Sequence, residues 1–215
     1  MTDVFKLGFI GGGLNSAVGT THFIASQMDG HFKVEAGCFS RNPDINRQTA
    51  ERWGISPERN YASFSELLDQ ETDSLDAIVI LTPTPNHFEP VTQALKKGYA
   101  VICEKSLTST ISDAINIQEV QKAHNGFLAV TYNYTGYPML RELKYQIENN
   151  QLGVIQQIHI EMPQEGYSRL NRDGNPMVPQ QWRLHDAELP TLSLDLGGHV
   201  HNIIDFISGE KPQQL

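Results

Sequence analysis

The residues nearest the N-terminus with the types and spacing for chemistry are small ones. Gly11-x-Gly13-x-x-Ser16 follows the apolar run Lys6–Ile10 and precedes a helix-like stretch. A dinucleotide-binding turn needs small side chains at this spacing: one for the tight turn, one so backbone can approach a pyrophosphate, one for helix–strand contact. Backbone N–H groups of Gly11, Gly13, Leu14, Asn15 and Ser16, with the positive end of the following helix, would hold the phosphates. Ser16 stands where a third glycine is usual, and Gly19 lies further on. The alternative is a plain glycine-rich turn; a strand before and a helix after favour the nucleotide. At the end of the next apolar run an acid would grip the ribose 2′-hydroxyl of NAD. The chain has Ser40-Arg41 there instead. A guanidinium pairs with phosphate as a fork, so NADP is expected slightly ahead of NAD.

These positions need elements to carry them. Short apolar runs at Lys6–Ile10, Phe32–Phe39, Asp76–Leu81, Ala100–Cys103 and Phe127–Thr131 alternate with helical patterns. The helices are expected from Ala17 to Met28, from Pro43 to Trp53, after the capping pair Ser63/Glu66, from His87 to Lys97, and from Thr110 to His124. Strands alternating with helices predict a parallel, doubly wound α/β sheet, here over residues 1–126. Beyond it the pattern changes. A helix is expected at Pro138–Asn150, a strand with one wet face at Val154–Met162, a long loop over 163–190, and a helix at Leu196–Ile207. Residues 127–215 therefore read as the first part of an incomplete C-terminal α/β domain.

Composition sets outer limits. Sixteen Lys and Arg against 25 Asp and Glu leave a net charge of −9, the wrong sign for a nucleic-acid partner. Hydrophobic residues at 39% suffice for a packed core. No apolar run is long enough to span a membrane, and no secretory leader is visible. Cys38 and Cys103 lie in strand-like runs and are expected as buried free thiols. The expectation is a cytoplasmic protein with no membrane partner.

Four segments in order carry a family resemblance: Gly11-Gly12-Gly13, Thr82-Pro83-Thr84-Pro85-Asn86-His87, Glu104-Lys105-Ser106-Leu107 and Asp195-x-x-x-His199. Together they resemble the glucose–fructose oxidoreductase / inositol dehydrogenase / MocA family over essentially the whole chain. The resemblance implies an NAD(P)-binding Rossmann domain, a C-terminal α/β domain, and hydride transfer to or from a sugar, polyol or inositol-like alcohol. It places Thr82, Pro83, Asn86 and His87 beside the nicotinamide ribose, and Glu104-Lys105 at the cofactor and substrate hydroxyl. It makes Lys105, Asp195 and His199 the catalytic residues. His199 is the expected base, its ordinary pKa lying near 6.5. Asp195, one turn away, would orient the imidazole, and Lys105 would polarise the substrate oxygen. Gln181-Trp182-Arg183 is similar to the loop ahead of the Asp/His helix. His201 lies off the Asp195 face, so no metal site is expected from Asp195, His199 and His201.

Two departures stand out. Ser106 replaces the family's proline, and the second domain holds one expected strand where the family builds an open sheet. A lone strand is not stable and invites pairing. The remainder is accordingly expected to be partly disordered or completed by self-association into a homo-oligomer, the chain reading as a member cut short. Two other readings compete: a catalytically impaired nucleotide-binding remnant acting as sensor or interaction module, and a Rossmann-like domain for S-adenosylmethionine, which the Thr82-Pro83 and Glu104-Lys105 segments disfavour.

Overall fold

Strands and helices alternate up to Thr131, as their periodicities require. The computed structural model describes residues 4–165 and 168–211. Its elements are β1 (Phe5–Gly11), α1 (Ala17–Gln27), β2 (Phe32–Cys38), α2 (Pro43–Trp53), α3 (Phe64–Gln70), β3 (Ala77–Leu81), α4 (Phe88–Lys96), β4 (Ala100–Glu104), α5 (Ile111–Ala123) and β5 (Leu128–Thr131). All strand pairs are parallel, in the order β2-β1-β3-β4-β5. The order reverses between β1 and β3, and in such sheets ligands bind beyond the carboxyl ends of the strands at that reversal. The glycine loop follows β1 and Thr82 follows β3, so both segments sit there.

β3 is the central strand and every one of its residues is buried. Ile78 and Ile80 join a core with Leu67, Leu68, Val91, Leu95, Val101 and Ile117 on one face. Ala77, Val79 and Leu81 join Leu7, Phe9, Val34, Phe39 and Ala50 on the other. A strand covered on both faces loses the polar alternation of a half-wet one, which is why its sequence is a continuous apolar run. Each fully buried side chain of this size contributes about 1.5–3 kcal/mol. Helix starts follow local chemistry. Asn42 accepts from the amides of Asp44 and Ile45, and Thr110 Oγ1 accepts from Asp113 N at 3.0 Å. Ser63 Oγ accepts from Glu66 N at 3.2 Å, while the Glu66 carboxylate reaches back to Ala62 N at 3.1 Å.

One compact unit ends at Thr131 and a second begins at Tyr132. The boundary thus falls later than residue 126, because Leu128–Thr131 pairs with β4 and belongs to the first sheet. In the second unit α6 (Pro138–Glu148) and α7 (Gly198–Ser208) pack together, with Lys144 Nζ 4.4 Å from the Phe206 ring centre. The strand expected at Val154–Met162 is not formed: those residues enter no ladder. Alternation marks a segment able to be a strand, but a strand exists only through hydrogen bonds to a neighbour, and none is supplied among the described residues. Residues 163–190 hold one short 3-10 turn, Gln181–Arg183, and an isolated bridge between Leu170 and Pro176; Gly166 and Tyr167 lie outside the described residues. Cys38 and Cys103 are buried free thiols, as expected. No helix among the described residues is long and apolar enough to cross a membrane.

Candidate functional site

The glycine loop is built on two left-handed residues. Gly11 and Gly12 have φ of 81° and 77°, a conformation costly for any residue with a Cβ. A Cβ on Gly11 would stand 2.9 Å from Thr82 N, so the loop lies directly against the segment after β3. The third small position is not Ser16. Ser16 is the N-cap of α1, its Oγ accepting from Gly19 N at 3.2 Å. Close contact falls instead to Gly19, where a Cβ would sit 1.8 Å from Gly12 O. Gly13 N donates to Phe39 O at 3.0 Å and Leu14 N to Thr49 Oγ1 at 3.1 Å, anchoring the turn to β2 and α2. Asn15 is exposed. The first turn of α1 carries no acidic side chain, so no carboxylate of the helix neutralises its positive end. Ser16 N donates to Gly13 O at 2.7 Å, so the amides of Gly13, Leu14 and Ser16, expected to face phosphate, are taken within the chain, and the phosphates of a dinucleotide are left to the exposed Asn15 and the positive end of α1.

The end of β2 is shaped by Asn46, whose Oδ1 accepts from Phe39 N at 2.6 Å and whose Nδ2 donates to Tyr61 O at 2.9 Å. This holds Ser40 and Arg41 beyond the strand. Ser40 Oγ accepts from Asn42 N at 3.1 Å. Arg41 is exposed and makes no ion pair among the described residues.

The Thr82–His87 segment contains a 3-10 turn, Thr84–Asn86, closed by Thr82 Oγ1 donating to Asn86 O at 3.2 Å. Pro83 and Asn86 are exposed and Thr82 half-buried, all open to a ligand. His87 differs from its expected place beside the ribose. It is 0% exposed, with Nδ1 2.8 Å from Ser106 O and Nε2 2.7 Å from Thr82 O. With no surface left, it meets backbone rather than ligand. Burial drives its imidazole below the usual range, although the two carbonyls pull upward.

Glu104 also turns inward. Its carboxylate contacts His22 Nε2 at 2.7 Å and accepts from Thr131 Oγ1 at 2.8 Å and from Lys105 N at 3.2 Å. Burial alone would raise its pKa; bonds from His22 and Thr131, with the charge of His22, hold it below the usual carboxylate range. Its role is to tie α1 and β5 to the end of β4. Lys105 follows half-buried, and the Lys105–Ser106 peptide is cis.

In the second unit, Asp195 lies in a π-helical turn, Ser193–Gly197, that runs into α7. Its carboxylate takes a fork from Arg183, Nε at 3.0 Å and Nη2 at 3.1 Å. Arg183 also lies 4.3 Å from the Trp182 ring centre and donates to Gln180 Oε1 at 2.7 Å. His199 is 5% exposed, edge-on to Tyr132 and Tyr134 with ring centres 5.7 and 4.7 Å away. His201 is exposed, two residues on and turned elsewhere.

Gly19, Thr49, His22, Thr131 and Arg183 were not expected among the site's residues. Gly19 left a trace, a glycine inside a helical pattern. Arg183 stands in the Gln181–Arg183 segment that the resemblance marks, without its pairing to Asp195; Thr49, His22 and Thr131 carry no local signal, since their partners are distant in sequence.

Residues 5–132 match the oxidoreductase family with an NAD-binding Rossmann fold. The chain is 28% identical over 204 residues to YfiI, an uncharacterized oxidoreductase of Bacillus subtilis (strain 168), covering 92% of this chain and 52% of that one. It is 31% identical over 143 residues to the D-xylose 1-dehydrogenase [NADP(+)] of Haloarcula marismortui, covering 66% and 38%. Among solved structures, an inositol dehydrogenase homolog of Azotobacter vinelandii, complexed with NADH and myo-inositol, superposes with a TM-score of 0.85 at 27% identity. That match covers 98% of this chain and 54% of the other. The chain spans about half the length of these relatives.

Proposed function

The chain belongs to the NAD-binding Rossmann oxidoreductases of the glucose–fructose oxidoreductase / inositol dehydrogenase / MocA family, and from that premise we propose that it binds a nicotinamide dinucleotide and serves oxidation of a secondary alcohol on a sugar, polyol or inositol-like substrate. The observation that carries this reading is the loop at the strand-order reversal. Left-handed Gly11 and Gly12, and an α1 without acidic residues in its first turn, form the anion cradle such a cofactor needs.

When bound, the cofactor supplies the hydride chemistry itself. The chain's own residues do the rest. Asn15, exposed at the start of α1, meets the pyrophosphate together with the positive end of that helix, the Leu14 and Ser16 amides being bonded to Thr49 Oγ1 and Gly13 O; Thr82, Pro83 and Asn86 border the ribose; Ser40 and Arg41 receive the 2′-phosphate of NADP, the form we favour. Lys105 polarises the substrate oxygen, and His199 takes its hydroxyl proton. The Arg183 fork fixes the Asp195 carboxylate in place, and that carboxylate orients and stabilises the imidazole. We place this work in the cytoplasm, where cysteines such as Cys38 and Cys103 persist as thiols, and in a homo-oligomer.

The test is turnover of the chain with NADP+ and NAD+ against a panel of aldoses, polyols and inositols, followed by nicotinamide absorbance. Reduction that is lost in Lys105→Met and His199→Asn supports the reading. Nucleotide binding without turnover on any alcohol favours the remnant reading.

A further inference from the structure

We propose that His87 is a positioning residue that locks the segment presenting Lys105 to the segment presenting Thr82 and Asn86; the reading rests on the proposed function for what those segments do. The ring has no exposed surface and its two nitrogens face carbonyls of two different loops, Ser106 O at 2.8 Å and Thr82 O at 2.7 Å. Ser106 immediately follows Lys105 at the end of β4, and Thr82 follows β3. The imidazole thus spans the carboxyl ends of two neighbouring strands.

Its own place is fixed from below. His87 precedes α4, and its carbonyl accepts from Val91 N at 3.0 Å, so the ring is held by a helix whose Val91, Ala94 and Leu95 are buried in the core. A rigid ring on a rigid helix start transmits position, whereas a flexible side chain would not. The chain of contacts continues beyond Thr82. Gly11 is in register with Leu81 of β3, the residue before Thr82, so a displaced Thr82 reaches the glycine loop through that pairing. One buried side chain therefore sets the spacing between the lysine and the phosphate cradle.

A neutral imidazole carries one N–H and donates to one of the two carbonyls. That donor must be Nδ1, toward Ser106 O, because that bond fixes Lys105; Thr82 is tied to His87 through its own turn, with Thr82 Oγ1 donating to Asn86 O at 3.2 Å and His87 N to Thr84 O at 3.2 Å. Asparagine reproduces a donor near Nδ1 and glutamine one near Nε2, which makes the assignment testable in the full 215-residue chain. Three variants, H87A, H87N and H87Q, are compared with wild type by the Lys105 amide resonance without nucleotide, by NADPH affinity, and by kcat against KM.

In H87A and H87Q the Lys105 amide shifts and kcat falls about 10²-fold, the cost of a reacting group displaced by about 1 Å, with KM changed far less. H87N keeps the wild-type resonance and rate. Equal behaviour of H87N and H87Q at Lys105, or a folded H87A with wild-type Lys105 shift and kcat, overturns the proposal. Should H87A not fold, the asparagine–glutamine comparison decides. The resonance is read without nucleotide, so a wild type that binds no nicotinamide refutes the proposed function and leaves the clamp to be judged on its own.

Discussion

Replacing Gly19 by alanine places a methyl carbon 1.8 Å from the Gly12 carbonyl oxygen and 2.5 Å from Gly12 Cα. On helix propensity alone the substitution gains about 1 kcal/mol, since Gly19 lies inside α1. The clash is with backbone, so no rotamer relieves it, and α1 or the glycine loop must move. Overpacking of this kind costs about 1–3 kcal/mol or more, and with contacts this short the upper end applies, leaving a net loss of about 2 kcal/mol. Loop movement has a second effect. Each hydrogen bond to a phosphate lost by displacement of the cradle costs about 1.5–3 kcal/mol, or roughly ten- to a hundredfold in Kd. The assay pairs urea unfolding, read as a change in midpoint at constant slope, with NADPH titration followed by fluorescence. Gly136→Ala is the control, because nothing lies within 4 Å of its Cβ position. A Gly19→Ala protein as stable as wild type, binding NADPH as tightly, would refute the assignment of Gly19 as the contact that seats α1 on the loop.

Other perturbations follow from the same geometry. The Glu71 carboxylate is 3% exposed and accepts from Arg59, Tyr61 and Ser74; burial opposes its charge, but these bonds, Arg59's above all, hold its pKa down to about 2. A depressed carboxylate stabilises the fold above the unfolded value of about 4.3. That stability, about 3 kcal/mol, drains away as pH falls from about 4 toward about 2. Glu71→Gln should therefore flatten the acid limb of the unfolding midpoint plotted against pH, and an unchanged acid limb contradicts the network. Arg41→Ala should weaken NADPH binding about tenfold or more and leave NADH unchanged; equal losses for both would show that Arg41 does not meet the 2′-phosphate. His199→Asn should lower turnover by about 10²–10⁴-fold with nucleotide affinity intact, measured by steady-state kinetics beside the NADPH titration.

The sheet was legible because its signals are local. Ala77–Leu81 is apolar at every position, as a strand covered on both faces must be; Pro43 marks a helix start by its fixed φ, and Ser63 and Thr110 do so by short-range bonding. Gly11 and Gly13 could be read because a turn of this kind tolerates little else. What sequence did not convey was direction. His87 and Glu104 have the types expected of ligand-facing residues, yet their partners, Ser106 O and Thr131 Oγ1 among them, are brought near only by pairing of β3, β4 and β5. Arg183 meets Asp195 through a loop whose path no periodicity encodes. Val154–Met162 failed for the converse reason: its alternation is local, but strand formation depends on a partner elsewhere.

The glycine loop, the open start of α1 and Ser40-Arg41 are proposed to hold a nicotinamide dinucleotide. Titration of the full chain with NADPH and NADH, followed by fluorescence, tests it most directly. Both should bind saturably, NADPH more tightly, with the NADPH advantage lost in Arg41→Ala. Absence of binding by either nucleotide, in a chain shown to be folded by its cooperative urea transition, would contradict it.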